Sequence, residues 1–492
     1  MNRLIVVSNR LPFALDSTGE DLWTVTPATG GLVSAIEPVL RERGGVWIGW
    51  PGIAGEIPQE PFAKATRNAG YKIVPVALSE SERSEFYYGY SNEVIWPLFH
   101  DLQNFCNFDP TYWQAYKDVN RRYANAIAHC AQPNDFIWVH DYHLMYVGWA
   151  LREQSMSRTI SGLAFFLHIP FPPYDIFSKL PQQQRLLRAL LQFDLLGFQT
   201  RRDVRNFIQC VRRVMPDAKI APRRDLQLIR FEKRQIRVGH FPIGIDFVSF
   251  ENGAKAETVA DKAQQLRSTF PGYQLVLGSD RLDYSKGIPE RLRAFRTALE
   301  LHPELRERIV LIQIVVPSRV EIPRYHEFKD RIDRLVGDIN GRFSTSTWLP
   351  VQYHFRSLDR DDLLAHYRGC DIAFVTPLKD GMNLVAKEYC ACRIEDDGVL
   401  ILSQFAGAAE QLKPGAVLVN PYDVEQMADA ISEAYRMNEA ARTSRMKRMR
   451  RVVRSENVFW WVDSFLKTAA KLAARSSQVE AATSRVRAIS KR

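Results

Sequence analysis

Short apolar runs of strand length recur along the whole chain, and segments with helical spacing separate them. In the first half the runs are Leu4–Ser8, Val46–Trp50, Ile73–Val76, Phe136–His140, Leu163–His168, Leu195–Gly197 and Arg237–Phe241, with helical spacing over Leu32–Arg43 and Tyr112–Ala131. In the second half they are Gln274–Gly278, Ile309–Val316, Val351–Phe355, Ile372–Val375 and Leu400–Ser403. Strands separated by helices form parallel sheets, because a parallel neighbour is reached only through a long, right-handed crossover. The pattern predicts an α/β protein of two doubly wound, Rossmann-like domains facing each other across a cleft, with a boundary at Pro242–Phe250 and domains of 1–246 and 247–456.

Polar residues collect where these strands end. Asp371–Leu378 (DIAFVTPL) is a buried strand in character, and Leu384–Arg393 has helical spacing; between them lie Lys379, Asp380, Gly381 and Asn383. A loop from a strand's carboxyl end into a helix N-terminus offers free backbone N–H groups to an anion. The same letters also suit an ordinary strand–turn–helix connection with a turn glycine. Cations gather at other strand ends: Arg10, Arg281, Lys286 and Arg319, while Gly30 and Gly31 in Ala28–Leu32 (ATGGL) precede a helix. Each alone reads equally well as a surface charge; together they favour one phosphorylated ligand, or two. A second group suits hydroxyls: Asp141, His168, Asp380 and Glu388, with Trp50, Tyr87 and Trp96 as flat faces for sugar rings, although aromatics more often fill a core.

Composition removes several classes. The 492 residues exceed one ordinary core, and 46% hydrophobic with 25% charged residues describes a globular chain rather than a disordered one. The opening MNRLIVVSNR reads as a strand, not a signal peptide, and no run approaches about 18 apolar residues, so no membrane span is expected. Six scattered cysteines read as reduced thiols of a cytoplasmic protein. The net charge of +10 comes largely from Arg436–Arg454, where eight Lys or Arg meet one acid, but Met446, Met449 and Val453 form a buried stripe there and no nucleic-acid motif accompanies it. GxSxG, GxxxxGK[ST] and GxGxxG are all absent, which sets aside hydrolase, NTPase and dinucleotide readings. His140 and His143 around Asp141 lack a spaced third ligand, so no metal is expected.

The ordered blocks VVSNR, ATGGL, WIGWPG, YSNEVIWPLFH, WVHDYHL, FFLHIPFP, RLDYSKG, TPLKDGMNLVAKEY and ILSQFAGAAEQL, spread over about residues 1–470, resemble the trehalose-6-phosphate synthases, retaining glucosyltransferases of the GT-B fold. The resemblance implies that Arg10, Trp50, Tyr87, Trp96, Asp141 and Arg319 hold the acceptor, glucose 6-phosphate. It implies that Gly30, Gly31, His168, Arg281, Lys286, Leu358, Asp380, Gly381, Met382, Asn383, Leu384, Val385 and Glu388 hold the donor, UDP-glucose. Asp141, His168, Arg281, Lys286 and Asp380 would be the catalytic set. The resemblance further implies no cofactor, a metal-independent reaction in which Arg281 and Lys286 stabilise the leaving diphosphate, and front-face attack with retention. It also implies a C-terminal helix crossing back to the first domain. Residues 457–475 fit that role, with Phe459, Trp460, Val462 and Phe465 expected to be buried and 476–492 left as a polar tail. Lys379 stands where many relatives have arginine, Asp280 where some have glutamate, and Leu11–Pro27 is longer than in the shortest bacterial members. The rivals are another acceptor such as glycerol 3-phosphate, another donor such as GDP-glucose, and a silent sugar-phosphate sensor. No nucleic-acid or membrane partner is expected; a homo-oligomer, dimer or tetramer, stays open.

Overall fold

The structure, a computed structural model, describes residues 3–17, 23–27, 31–154, 160–222, 226–318 and 323–471. The chain divides into two compact units, Met1–Phe241 with Phe459–Arg492, and Pro242–Val458. Strands are numbered in chain order. The first unit contains β1 (Leu4–Arg10), β2 (Phe13–Ser17), β3 (Trp23–Pro27), β4 (Gly45–Trp50), β5 (Lys72–Pro75), β6 (Phe136–His140), β7 (Gly162–Phe166), β8 (Leu195–Phe198), β9 (Lys219–Pro222), β10 (Gln227–Phe231) and β11 (Arg234–His240). Nine of these form one sheet, in the order β5-β4-β1-β6-β7-β8-β11-β10-β9. The pairs from β5 to β11 are all parallel. Ile5, Val6, Val7 and Trp138 are fully buried, which is why these strands read as unbroken apolar runs.

Two features depart from the expectation of purely parallel sheets. β10 pairs antiparallel with both β11 and β9, and β2 pairs antiparallel with β3 as a separate hairpin. The hairpin lies in the stretch Leu11–Pro27 that looked long for the family. Residues 24–27 of β3 are exposed, and β9 is only partly covered, so neither leaves an apolar run in the sequence.

The second unit contains β12 (Gln274–Arg281), β13 (Ile309–Val316), β14 (Val351–Phe355), β15 (Ile372–Val375), β16 (Val399–Ser403) and β17 (Val417–Val419). They form one sheet in the order β14-β13-β12-β15-β16-β17, parallel throughout. Strand order therefore reverses between β12 and β15, and between β1 and β6 in the first unit. At such a switch point the two flanking connections leave towards opposite faces, opening a crevice at the carboxyl ends of the strands. The basic run behaves as a helix, Glu439–Ser455, with Met446, Met449 and Val453 buried. Arg450 departs from a solvated face: it donates to the carbonyls of Cys390 and Ala391 and pairs with Glu251 and Asp396.

Helix 458–471 packs against the first sheet. Trp461 lies 5.1 Å from the Trp138 ring and edge-on to Phe166, and Phe465 stacks on Trp138 at 4.3 Å. Val462 and Phe465 are buried as expected, but Phe459 and Trp460 are 43% and 38% exposed, and the fully buried tryptophan is Trp461. Helical spacing explains the correction: residues 458, 461, 462, 465 and 469 share one stripe, and 459 and 460 fall outside it. Trp461→Ala should therefore cost about 3–5 kcal/mol in denaturant unfolding, and Trp460→Ala less than about 1 kcal/mol. Equal losses would mean that the stripe is wrongly placed.

Candidate active site

The second switch point is built from three connections. Lys286 follows β12 through the turn Tyr284–Lys286, which Asp283 holds by accepting from the Ser285 backbone N–H and hydroxyl. Its ammonium meets Asp380 Oδ2 at 2.5 Å, across the reversal from β12 to β15. Asn383 then caps the helix Leu384–Cys392: it adopts a left-handed backbone (φ +70°), accepts from Ala386 N and donates to Asp380 Oδ2. This cap leaves the N–H groups of Leu384 and Val385 outside the helical ladder, where they suit an anion. The turn that follows β16 braces the loop. Asp380 N donates to the Phe405 carbonyl, Gly407 N to the Asp380 carbonyl and Ala408 N to the Met382 carbonyl. A Cβ on Gly407 would sit 1.9 Å from the Gly381 oxygen, so only glycine permits this approach. Glu388, one turn into the helix, accepts from Tyr367 Oη at 2.9 Å, and burial raises its pKa in spite of that bond.

The first switch point carries Arg10 at the end of β1 and Asp141 just after β6. The Arg10 guanidinium lies 4.0 Å from the Trp50 ring centroid and 5.3 Å from that of Tyr87, which packs edge-on to Trp50. Such stacking covers the guanidinium face and leaves its N–H edge for a ligand. Asp141 has φ +74° and ψ 168°, a region almost reserved for glycine, and its Oδ1 accepts from His168 N. His168 Nε2 meets His140 Nδ1 at 3.2 Å, and Gln199 Nε2 lies 3.4 Å from His168 Nδ1. Burial pulls the His168 pKa down to about 3 and that of His140 well below its ordinary value, so both rings are neutral near pH 7.

Tyr87 and Trp96 reach the site by an unusual route. Arg83–Ile95 is a π-helix of 13 residues that runs directly into the α-helix Trp96–Phe99. At 3.6 residues per turn, positions nine apart point about 180° away from each other. With the i→i+5 spacing, roughly 4.4 residues per turn, they fall within about 20° of one face. Tyr87 thus stacks on His143 at 5.8 Å while Trp96 packs on Tyr142 at 5.6 Å, both beside Asp141.

Several expected residues stand differently. Gly30 and Arg319 lie outside the described residues, and Gly31 begins the helix Gly31–Arg43. Leu358 sits in the connection after β14, at the edge of the sheet. Asp280, the residue before Arg281 in β12, faces inward: it pairs with the buried Arg291 at 2.7 Å, and burial raises its pKa against that pairing. Arg281 is exposed at the end of β12. The sequence reading gave no role to His140 other than a metal ligand, nor any to Gln199, Asn92 or Gly407. Among the described residues, no group of three or more His, Cys, Asp and Glu gathers as a metal site. Gln199 carried the signal that found the others, a polar residue just past an apolar strand.

Residues 2–471 match the model of glycosyltransferase family 20. The 56 kDa subunit of the UDP-forming alpha,alpha-trehalose-phosphate synthase of Saccharomyces cerevisiae is 37% identical over 470 residues, 94% of this chain and 93% of its own length. A bifunctional trehalose-6-phosphate synthase/phosphatase of Thermoproteus tenax is 39% identical over 98% of this chain, which spans 65% of that protein. Among solved structures, a UDP-forming alpha,alpha-trehalose-phosphate synthase of Burkholderia xenovorans in complex with glucose-6-phosphate is 34% identical, with a TM-score of 0.85 over 95% of this chain and 100% of that one.

The backbone at Asp141 gives a test. Asp141→Ala and Asp141→Gly remove the same carboxylate, but only glycine accepts φ +74° without strain. The glycine variant should be the more stable by about 1–2 kcal/mol in denaturant unfolding, although glycine normally costs stability elsewhere. A more stable alanine variant would mean that the strain is not there.

Proposed function

Because the chain belongs to glycosyltransferase family 20, we propose that it transfers glucose from UDP-glucose to glucose 6-phosphate, giving α,α-trehalose 6-phosphate and UDP. The observation that carries the reading is the second switch point, where Lys286, Asp380 and the Asn383-capped helix N-terminus converge. A nucleoside diphosphate sugar needs those three groups: a cation and free N–H groups for the diphosphate, and a carboxylate for sugar hydroxyls.

On this reading Lys286, Arg281 and the Leu384 and Val385 N–H groups receive the diphosphate. They stabilise the negative charge that grows as the bond from the anomeric carbon to the phosphate oxygen breaks. Asp380, relieved of part of its ion pair, accepts from hydroxyls of the transferring glucose. Glu388 accepts from the ribose; losing its proton there is favoured only when donors replace the solvent that burial removes. Arg10 takes the acceptor phosphate, Tyr87 and Trp96 the sugar faces, and Asp141 the acceptor hydroxyls. The acceptor hydroxyl attacks from the side that the diphosphate leaves, and its proton passes to the departing phosphate oxygen, so the configuration is retained without a carboxylate nucleophile. His168, neutral at working pH, offers a donor N–H or an acceptor to the donor sugar rather than a charge. The six cysteines, all unpaired, support a reducing compartment such as the cytoplasm.

Two substitutions separate the ligands. A charge-assisted bond contributes about 1.5–3 kcal/mol, or roughly 10- to 150-fold in affinity. Arg10→Ala should weaken glucose 6-phosphate by that factor and leave UDP within about twofold; Lys286→Ala should do the reverse, both by calorimetry. Wild-type affinity for glucose 6-phosphate in Arg10→Ala would refute the acceptor assignment, and turnover of glycerol 3-phosphate or GDP-glucose in its place would favour the corresponding rival. Turnover of UDP-glucose should persist in excess chelator, because Arg281 and Lys286 supply the positive charge; loss of activity that magnesium restores would refute this.

A further inference from the structure

The π-helix Arg83–Ile95 has a lock. Asn92 is buried, its Nδ2 donates to the Tyr87 carbonyl at 2.7 Å, and its Oδ1 accepts from Tyr142 Oη at 2.9 Å. Residue 92 is five positions after residue 87, so the side-chain amide addresses the same carbonyl that i→i+5 backbone spacing addresses. Its other end reaches the residue after Asp141, whose own carbonyl is held by Tyr116 Oη at 2.7 Å. One amide therefore joins the segment that carries Tyr87 to the segment that carries Asp141. Steric fit supports the same geometry: a Cβ on Gly89 would lie 2.8 Å from the Tyr112 ring, so the wide helix presses closely on the helix Pro110–Cys130.

We propose that Asn92 is a positioning residue for the acceptor: it keeps Arg83–Ile95 in the wide helical form that places Tyr87 and Trp96 on one face, and fixes that face against the Asp141 turn. The proposal rests on the acceptor reading given above. Without the amide, tightening to 3.6 residues per turn would swing Trp96 about half a turn away from Tyr87.

Three variants and two readouts test it. Asn92→Asp keeps an acceptor for Tyr142 but loses the donor to the Tyr87 carbonyl; Asn92→Ala loses both; Tyr142→Phe loses only the second bond. The expected result is a KM for glucose 6-phosphate raised at least tenfold in both Asn92 variants and less in Tyr142→Phe, with the KM for UDP-glucose within twofold of wild type. Equal rises in both KM values, or no rise in the acceptor's, would overturn the proposal. So would failure of both Asn92 variants to fold while Tyr142→Phe behaves as wild type, since the amide would then serve folding alone. The second readout does not depend on the acceptor's identity. A crystal structure of Asn92→Ala, or of Asn92→Asp if alanine is not tolerated, should show 83–95 drawn towards i→i+4 spacing; an unchanged π-helix overturns the proposal even if wild type uses a different acceptor. Wild type that transfers glucose but not to glucose 6-phosphate overturns the acceptor reading and leaves this structural outcome to stand or fall separately.

Discussion

A strand buried on both faces has no place along its length for a charge, because an ion without partners in the interior costs several kcal/mol. Both central sheets obey this constraint, and the polar chemistry is displaced to where their strands end. At the two reversals of strand order, β1 to β6 and β12 to β15, the connections part and leave room for a ligand. Arg10 and Asp141 emerge at one, and Arg281, Lys286 and Asp380 at the other. The positions of these groups follow from the burial of their strands, and the functional reading follows from their positions.

Keeping those groups poised requires support that is itself buried. Asp280 shows the cost: its pairing with Arg291 does not fully offset burial, and its pKa rises. Lys387, beside Glu388, is buried too, with its ammonium donating to the Ile243 carbonyl and to Gln411 Oε1; burial lowers its pKa to about 7. The Lys387 contacts anchor the helix Leu384–Cys392, while Gly407 admits the brace that fixes its loop from the side. At Asp141 the support takes another form, a backbone conformation that costs on the order of 1–3 kcal/mol and is held by surrounding bonds.

Much of this was legible in the sequence. The apolar runs at Phe136–His140, Ile309–Val316 and Ile372–Val375 coincide with strands, because near-complete burial leaves an apolar signature. The polar residues just past them found Arg10, Asp141, Arg281, Lys286 and Asp380. Half-exposed strands such as β2, β3 and β9 carry no such signature and were missed. The apolar character of the segment points to Phe459 and Trp460 as well, whereas a helical stripe selects by angle and buries Trp461. The π-helix is not legible in the sequence, because its period of roughly 4.4 residues matches neither the 3.6 of an α-helix nor the 2.0 of a strand. Asn92 and Gly407 were missed for the same kind of reason: their work lies in contacts with distant backbone, which a local pattern does not contain.

The central claim is that the β12/β15 switch point receives a nucleoside diphosphate. A crystal structure of the protein with UDP tests it most directly. The account predicts the diphosphate at the N-terminus of Leu384–Cys392, within hydrogen-bonding distance of Lys286 Nζ and the Leu384 and Val385 N–H groups, with the ribose at Glu388. A UDP bound instead at the β1/β6 switch point, or with its diphosphate away from Lys286, would contradict it.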